Sequence, residues 1–309
     1  MIECSVIMDK KAIELAELLA GRKMNEALPQ PTMHERLHEY EKVVILTGAG
    51  ISVASGIAPF RGPGGLYAEG NRSGGYDAGI ERLVYREALD TEPAAAWQFY
   101  GNLRKMAKTA SPNAAHLSLA QFEKSLSHDF LLITQNIDGL HQKAGSKNVV
   151  EMHGTIHRTK CSNPECSLAG GFEDARVYAR PPHCPRCGSI LRPDIVMFGE
   201  MINQQNLDTI SDALNECDLF IAIGTSGVVS PASQFVRFAR NAGAMTIYVN
   251  VAPLGSTMEG EPMFYESVIG KAEEVLPGFL EDQPMDLKTL AEQVSNDLER
   301  LAAAIAGTS

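Results

Sequence analysis

Four short apolar runs punctuate the chain: Val43-Val44-Ile45-Leu46, Phe130-Leu131-Leu132-Ile133, Leu219-Phe220-Ile221-Ala222-Ile223 and Met245-Thr246-Ile247-Tyr248-Val249. Runs this short and this apolar suit strands buried on both faces of a parallel sheet. They end in polar or glycine-rich turns, at Thr47-Gly48-Ala49-Gly50, Thr134-Gln135-Asn136, Gly224-Thr225-Ser226 and Asn250. Val149-Val150 begins a further strand or turn. Helical spacing fills the intervals: residues 80–109 (Trp97, Phe99, Tyr100 and Leu103 clustered), a helix begun by Pro112-Asn113, and another from Pro231 to Arg240. This alternation predicts an α/β fold, a doubly wound Rossmann-like parallel sheet over residues 37–285 with a helical insertion at about 62–112. Residues 10–24 have helical spacing before Pro29 and Pro31, so residues 1–36 read as an N-terminal helical extension. Residues 286–309 read as a C-terminal amphipathic helix stopped at Gly307, and residues 61–80 as a glycine-rich mobile loop.

In an open sheet of this kind, ligands bind outside the carboxyl ends of the strands. The first such end carries Gly48-Ala49-Gly50-Ile51-Ser52, with Gly56 beyond it. Glycines there let backbone approach a pyrophosphate at a helix N-terminus, although Val53 stands where a strict dinucleotide fingerprint has its third glycine. Phe60 and Arg61 follow, an aromatic ring and a guanidinium suited to covering a nicotinamide and holding a phosphate or ribose. The second end offers Gln135, Asn136 and Asp138, which can fix a polar ligand by several hydrogen bonds. His153, followed by Gly154, can move a proton near neutral pH. Of the other histidines, His116 reads as a packing residue and His141 as a surface residue.

Composition narrows the function classes. The 309 residues are 44 % hydrophobic and 21 % charged, an ordinary globular balance. The net charge of −11 disfavours a nucleic-acid binder. No apolar run approaches the ~20 residues of a membrane span, and Glu3, Asp9, Lys10 and Lys11 do not read as a secretory signal, so a cytoplasmic protein is expected. In that reducing setting, Cys161, Cys166, Cys184 and Cys187 read as two metal-binding knuckles in a small module at about 157–192. Four thiolates complete a tetrahedral Zn²⁺ site and leave no position open for catalysis, so the zinc is structural.

Together these pieces resemble the sirtuins, the NAD-dependent protein lysine deacylases, of bacterial type. The resemblance is carried by Thr47 to Ser52, Ser55-Gly56-Ile57, Phe60-Arg61-Gly62, Thr134 to His141, His153-Gly154, the four cysteines, Val196 to Glu200, Gly224-Thr225-Ser226 and Asn250, spanning roughly residues 40–280. It implies NAD bound by Gly48, Ala49, Gly50, Ile51, Phe60, Arg61, Gln135, Asn136, Ile137, Asp138, Gly224, Thr225, Ser226, Asn250 and Ala272. It also implies an acyl-lysine protein or peptide laid as an added strand between Phe198-Gly199-Glu200 and Gly227-Val228.

The implied reaction starts when the acyl oxygen attacks the ribose carbon bearing nicotinamide. His153 then acts as base on a ribose hydroxyl, with Asn136 orienting the ribose and a water, and free lysine, nicotinamide and an O-acyl-ADP-ribose result. Relatives that remove succinyl or malonyl groups carry Tyr-x-x-Arg on the insertion helix. Here Tyr100 is followed at that spacing by Leu103, with Arg104 one residue later, so acetyl or another uncharged acyl group is favoured, with desuccinylation or demalonylation through Arg104 as the alternative. Mono-ADP-ribosyl transfer, NAD hydrolysis and non-catalytic NAD sensing are further alternatives on the same site. The sequence carries no reading of the oligomeric state.

Overall fold

The computed structural model describes residues 37, 40–59, 65, 80–126, 129–226, 230–254 and 262–280. The expected helices at 10–24 and 286–305, most of the glycine-rich loop, and Phe60, Arg61, Gly227 and Val228 lie outside the described residues.

Nine strands are described: β1 (Lys42–Thr47), β2 (Asp129–Thr134), β3 (Val149–Glu151), β4 (Gly154–Cys161), β5 (Phe172–Glu173), β6 (Leu191–Ile195), β7 (Leu219–Ile223), β8 (Met245–Asn250) and β9 (Glu266–Ile269). Six of them form one sheet in the order β3-β2-β1-β7-β8-β9, every neighbouring pair parallel. Strand order reverses at β1 and β7, which makes the carboxyl ends of these two strands the crevice of the fold. The remaining strands form a small antiparallel sheet, β5-β4-β6.

The described helices are α1 (Ile80–Leu83), α2 (Ala88–Thr91), α3 (Pro93–Thr109), α4 (Ala114–Ser125), α5 (Leu140–Ala144), α6 (Gln204–Glu216), α7 (Phe235–Asn241) and α8 (Ala272–Leu280). The apolar runs are buried as their composition predicts. Val44 and Leu46 pack with Ile210 and Leu214 of α6 and with Phe235, Val236 and Ala239 of α7. Val43 and Ile45, which alternate to the opposite face, are equally buried. The segment read as one helical stretch over 80–109 is three helices, because residues 84–87 leave the helix to pair with Phe198 and Pro93 starts α3 afresh.

The four cysteines come together at the end of the small sheet. Their Sγ atoms all lie within 4.8 Å of one another, with 3.4 Å between Cys161 and Cys187 and 3.7 Å between Cys166 and Cys184. A tetrahedron of thiolates about 2.3 Å from a zinc ion has edges of about 3.8 Å, so the set fits Zn²⁺. His157 and His183 bond to backbone carbonyls instead.

Two residues of α3 dock this module. Trp97 packs with Cys161, Cys184 and Leu191 and donates Nε1–H to the Leu191 carbonyl at 2.9 Å. Arg104, 2 % exposed, lies beneath the same ring, 5.2 Å from its centroid. Four of its five N–H groups are committed: Nε to Ile156 O at 3.0 Å, Nη1 to Arg176 O at 2.7 Å, and Nη2 to Arg158 O at 2.9 Å and Thr159 Oγ1 at 2.8 Å. This corrects the expectation that Arg104 could meet a charged acyl chain. Its guanidinium is a buried strut between α3 and β4.

Two outcomes follow. Cys184→Ser should abolish retention of about one zinc per chain and lower Tm by roughly 5 °C or more, read by metal analysis and thermal unfolding. Arg104→Leu leaves three carbonyls and a hydroxyl without their donor. At ~1 kcal/mol or more each, the loss in urea unfolding should be about 3 kcal/mol or more.

Candidate active site

The crevice is built from two turns pressed together. Gly48 N–H donates to Ile223 O at 3.0 Å and Gly50 N–H to Gly224 O at 2.8 Å. A Cβ on Gly50 would stand 2.8 Å from the Gly224 Cα, and one on Gly224, which sits at φ +59, would stand 2.6 Å from the Ile51 nitrogen. The glycines expected to admit a phosphate are thus required first by the approach of one turn to the other. Their N–H groups are spent inside the protein, and the Ala49 N–H is left without a partner among the described residues. The turn continues as a short 3-10 helix, Ala49–Ser55, with Ile51 and Ser52 buried.

The end of β2 meets this turn through its polar residues. Gln135 donates Nε2–H to Thr225 Oγ1 at 3.0 Å, linking the turns after β2 and β7. Asn136 donates Nδ2–H to Gly48 O at 3.1 Å and to Ser52 Oγ at 3.2 Å. Its Oδ1 keeps no partner among the described residues. Ser52 in turn donates to Asp138 Oδ2 at 2.7 Å, while Asp138 Oδ1 caps the Leu140 N–H at 3.0 Å. Ile137 packs at the margin of the helical insertion's apolar cluster, which also holds Tyr100, Leu103, Ile156 and Met197.

His153 sits between β3 and β4 with its Nδ1 2.8 Å from the Gln135 carbonyl. A carbonyl only accepts, so Nδ1 carries the proton and Nε2 is the unprotonated, basic nitrogen. Burial lowers the His153 pKa from 6.5, against the raising effect of that hydrogen bond, so the ring is neutral at physiological pH.

On the far side of the crevice, Asn250 donates to the Thr225 carbonyl at 2.9 Å and accepts the Val251 N–H at 2.8 Å. Ser226 is exposed, and Ala272, buried, opens α8. The structure thus brings Ala49, Gln135, Asn136, Asp138 and Thr225 into one linked set.

Three contributors escape a reading of the sequence. Ser52 is polar on the buried side of its short helix, which is the one signal that could have found it. Asn113 caps α4 as its Pro112-Asn113 start suggests, and it also donates Nδ2–H to Ile51 O at 2.8 Å and Ser55 Oγ at 3.0 Å. His141 overturns its surface assignment. It is 1 % exposed, bonds Thr47 Oγ1 at 2.9 Å and lies 4.9 Å from the His116 ring. Burial lowers the His141 pKa to about 3 and that of His116 to about 4, so both rings are neutral. Glu200, expected to touch substrate, turns inward onto Arg192 and the Met197 N–H.

The set fits NAD by its donor and acceptor chemistry: an amide oxygen, a carboxylate, a free backbone N–H and a neutral imidazole, all at strand ends. Comparison with known proteins supports that assignment. A profile of the Sir2 family matches residues 48–231. The chain is 40 % identical to the NAD-dependent protein deacylase of Escherichia coli K12, across 81 % of this chain and 85 % of that protein. Among solved structures, a Sir2 homologue in complex with NAD shares 32 % identity over 84 % of this chain and 95 % of its own, with a TM-score of 0.71. A Sir2 protein bound to a deacetylated p53 peptide and 3′-O-acetyl ADP ribose shares 29 % identity over 79 % of this chain and 94 % of its own, with a TM-score of 0.66. The chain belongs to the Sir2 family.

Proposed function

We propose that this chain is an NAD-dependent protein lysine deacylase that transfers the acyl group to ADP-ribose and releases nicotinamide. The observation that carries this reading is the tautomer of His153. Its Nδ1–H is held by the Gln135 carbonyl, which leaves Nε2 as an acceptor. When bound, NAD supplies an electrophilic ribose carbon with nicotinamide as leaving group.

The chain's own residues do the rest. The Ala49 N–H would hold a phosphate. Gln135, Asn136 Oδ1 and Asp138 bind and orient the nicotinamide ribose and its amide. Thr225, Ser226, Asn250 and Ala272 border the adenosine half. His153 Nε2 takes the proton of a ribose hydroxyl as that hydroxyl becomes a nucleophile. Val196–Glu200 receives the substrate main chain. With Arg104 committed to β4 and the Arg176 carbonyl, the acyl chain meets the partly buried apolar side chains Leu103 and Ile137, which favours acetyl and other uncharged groups.

The pH profile follows from the direction of the His153 shift. The base must be neutral, and its folded-state pKa lies below 6.5, so proton occupancy of Nε2 grows only as pH falls below that value. For deacetylation of an acetyl-lysine peptide, kcat/KM should be level from about pH 7 upward and fall only below about pH 6.5. His153→Ala should lose the reaction about 100-fold or more. An acid limb centred at pH 7 or above, or full activity without His153, would overturn the assignment.

A further inference from the structure

The segment after β6, Val196 to Glu200, is held on one side by main-chain bonds. Val196 N–H donates to the His153 carbonyl at 2.9 Å, Phe198 N–H to Val84 O at 3.0 Å, and Arg86 N–H to Phe198 O at 3.2 Å. The Phe198 ring lies 5.5 Å from that of Tyr85. These bonds leave the Val196 carbonyl and the Gly199 N–H without a hydrogen bond among the described residues.

The turn at Gly199, which sits at φ +85, is closed by the Glu200 N–H on the Met197 carbonyl at 3.0 Å, and the Glu200 side chain ties that turn to β6. One of its carboxylate oxygens accepts the Met197 N–H at 2.9 Å and Arg192 Nη2–H at 2.6 Å, and the other accepts Arg192 Nη1–H. Arg192 belongs to β6, is 4 % exposed and spends Nη2 also on the Ile195 carbonyl at 2.8 Å. Its Nε has no hydrogen-bond partner among the described residues, so the bonds of this guanidinium go to Glu200 and the Ile195 carbonyl. Burial would raise the Glu200 carboxyl, but the Arg192 and Met197 hydrogen bonds outweigh it and hold the group below the usual carboxylate range.

We propose that Arg192 and Glu200 are positioning residues for the substrate peptide: the buried fork fixes Val196–Gly199 so that its free carbonyl and N–H pair with the substrate main chain, while neither side chain touches substrate. This rests on the deacylase reading above. It replaces the expected direct contact of Glu200 with a role exerted through the backbone, and it ties the small sheet to peptide capture. Loss of the fork should weaken peptide binding while leaving the NAD site and the His153 ring in place, because the ring is held by the Gln135 carbonyl and the NAD-site side chains by the Gly48 turn, and only the His153 main chain meets Val196.

The test is steady-state kinetics with an acetyl-lysine peptide, together with calorimetric peptide binding, for the wild type, Glu200→Gln and Arg192→Lys. Glu200→Gln keeps the shape and an acceptor for the Met197 N–H but loses the charge. Peptide KM and Kd should both rise about tenfold, with kcat within about twofold and NAD KM unchanged. Arg192→Lys keeps the charge without the fork and should show the same split at about threefold. If Glu200→Gln does not fold, Arg192→Lys decides by the same split. A lowered Tm with unchanged peptide KM, or a loss carried by kcat or NAD KM, would overturn the positioning role alone. A wild type that turns over no acyl-lysine peptide would overturn the deacylase reading and this role with it.

Discussion

The site depends on one close approach, that of the turn after β1 to the turn after β7. Gly48, Gly50 and Gly224 meet with no room for a Cβ on any of them, and their main chains are bonded to each other. A methyl group there would force backbone against backbone in a region where the central strands are fully buried and cannot yield. From this contact the rest is placed. The Ala49 N–H is turned outward, the Gly48 carbonyl is left to hold Asn136, and Thr225 is set where Gln135 reaches it.

What the contact brings together is a continuous polar network drawn from separate parts of the chain. Ser52 joins Asn136 to Asp138, and Asn113 fastens α4 to the Ile51 carbonyl. Thr47 anchors His141 beneath them. Buried polar networks of this kind rigidify when satisfied, because each lost partner leaves a desolvated group. The network bonds one end of each of two side chains and leaves the other, Asn136 Oδ1 and His153 Nε2, without a hydrogen bond among the described residues, the atoms proposed to meet the ligand. Preorganisation of that sort is what a displacement at a ribose carbon requires of a protein that contributes one proton transfer.

The central strands were legible because parallel strands buried on both faces must be apolar throughout, and the runs at 43–46, 130–133, 219–223 and 245–249 announce themselves. The edge strand Glu266–Ile269 was not, since its residues are mostly exposed and its pairing is fixed by β8 rather than by its own pattern. The cysteine set was legible from spacing, which reflects the geometry of a zinc knuckle. The roles of charged and polar side chains were harder to read. Arg104 and Glu200 carry the composition of surface residues, yet each is turned inward by partners distant in sequence or across a turn. His141 looks solvent-facing on a short helix until Thr47 and His116 close over it. Spacing locates the residue; only the fold decides which end of its side chain is free.

The central claim is that His153 Nε2 directs the acyl group onto the ribose rather than onto water. The most direct measurement is the mass of the nucleotide formed from NAD and an acetyl-lysine peptide. The account predicts O-acetyl-ADP-ribose, equal in amount to the nicotinamide and to the deacetylated lysine. ADP-ribose accompanied by free acetate, or ADP-ribose formed with the acetyl-lysine intact, would contradict it.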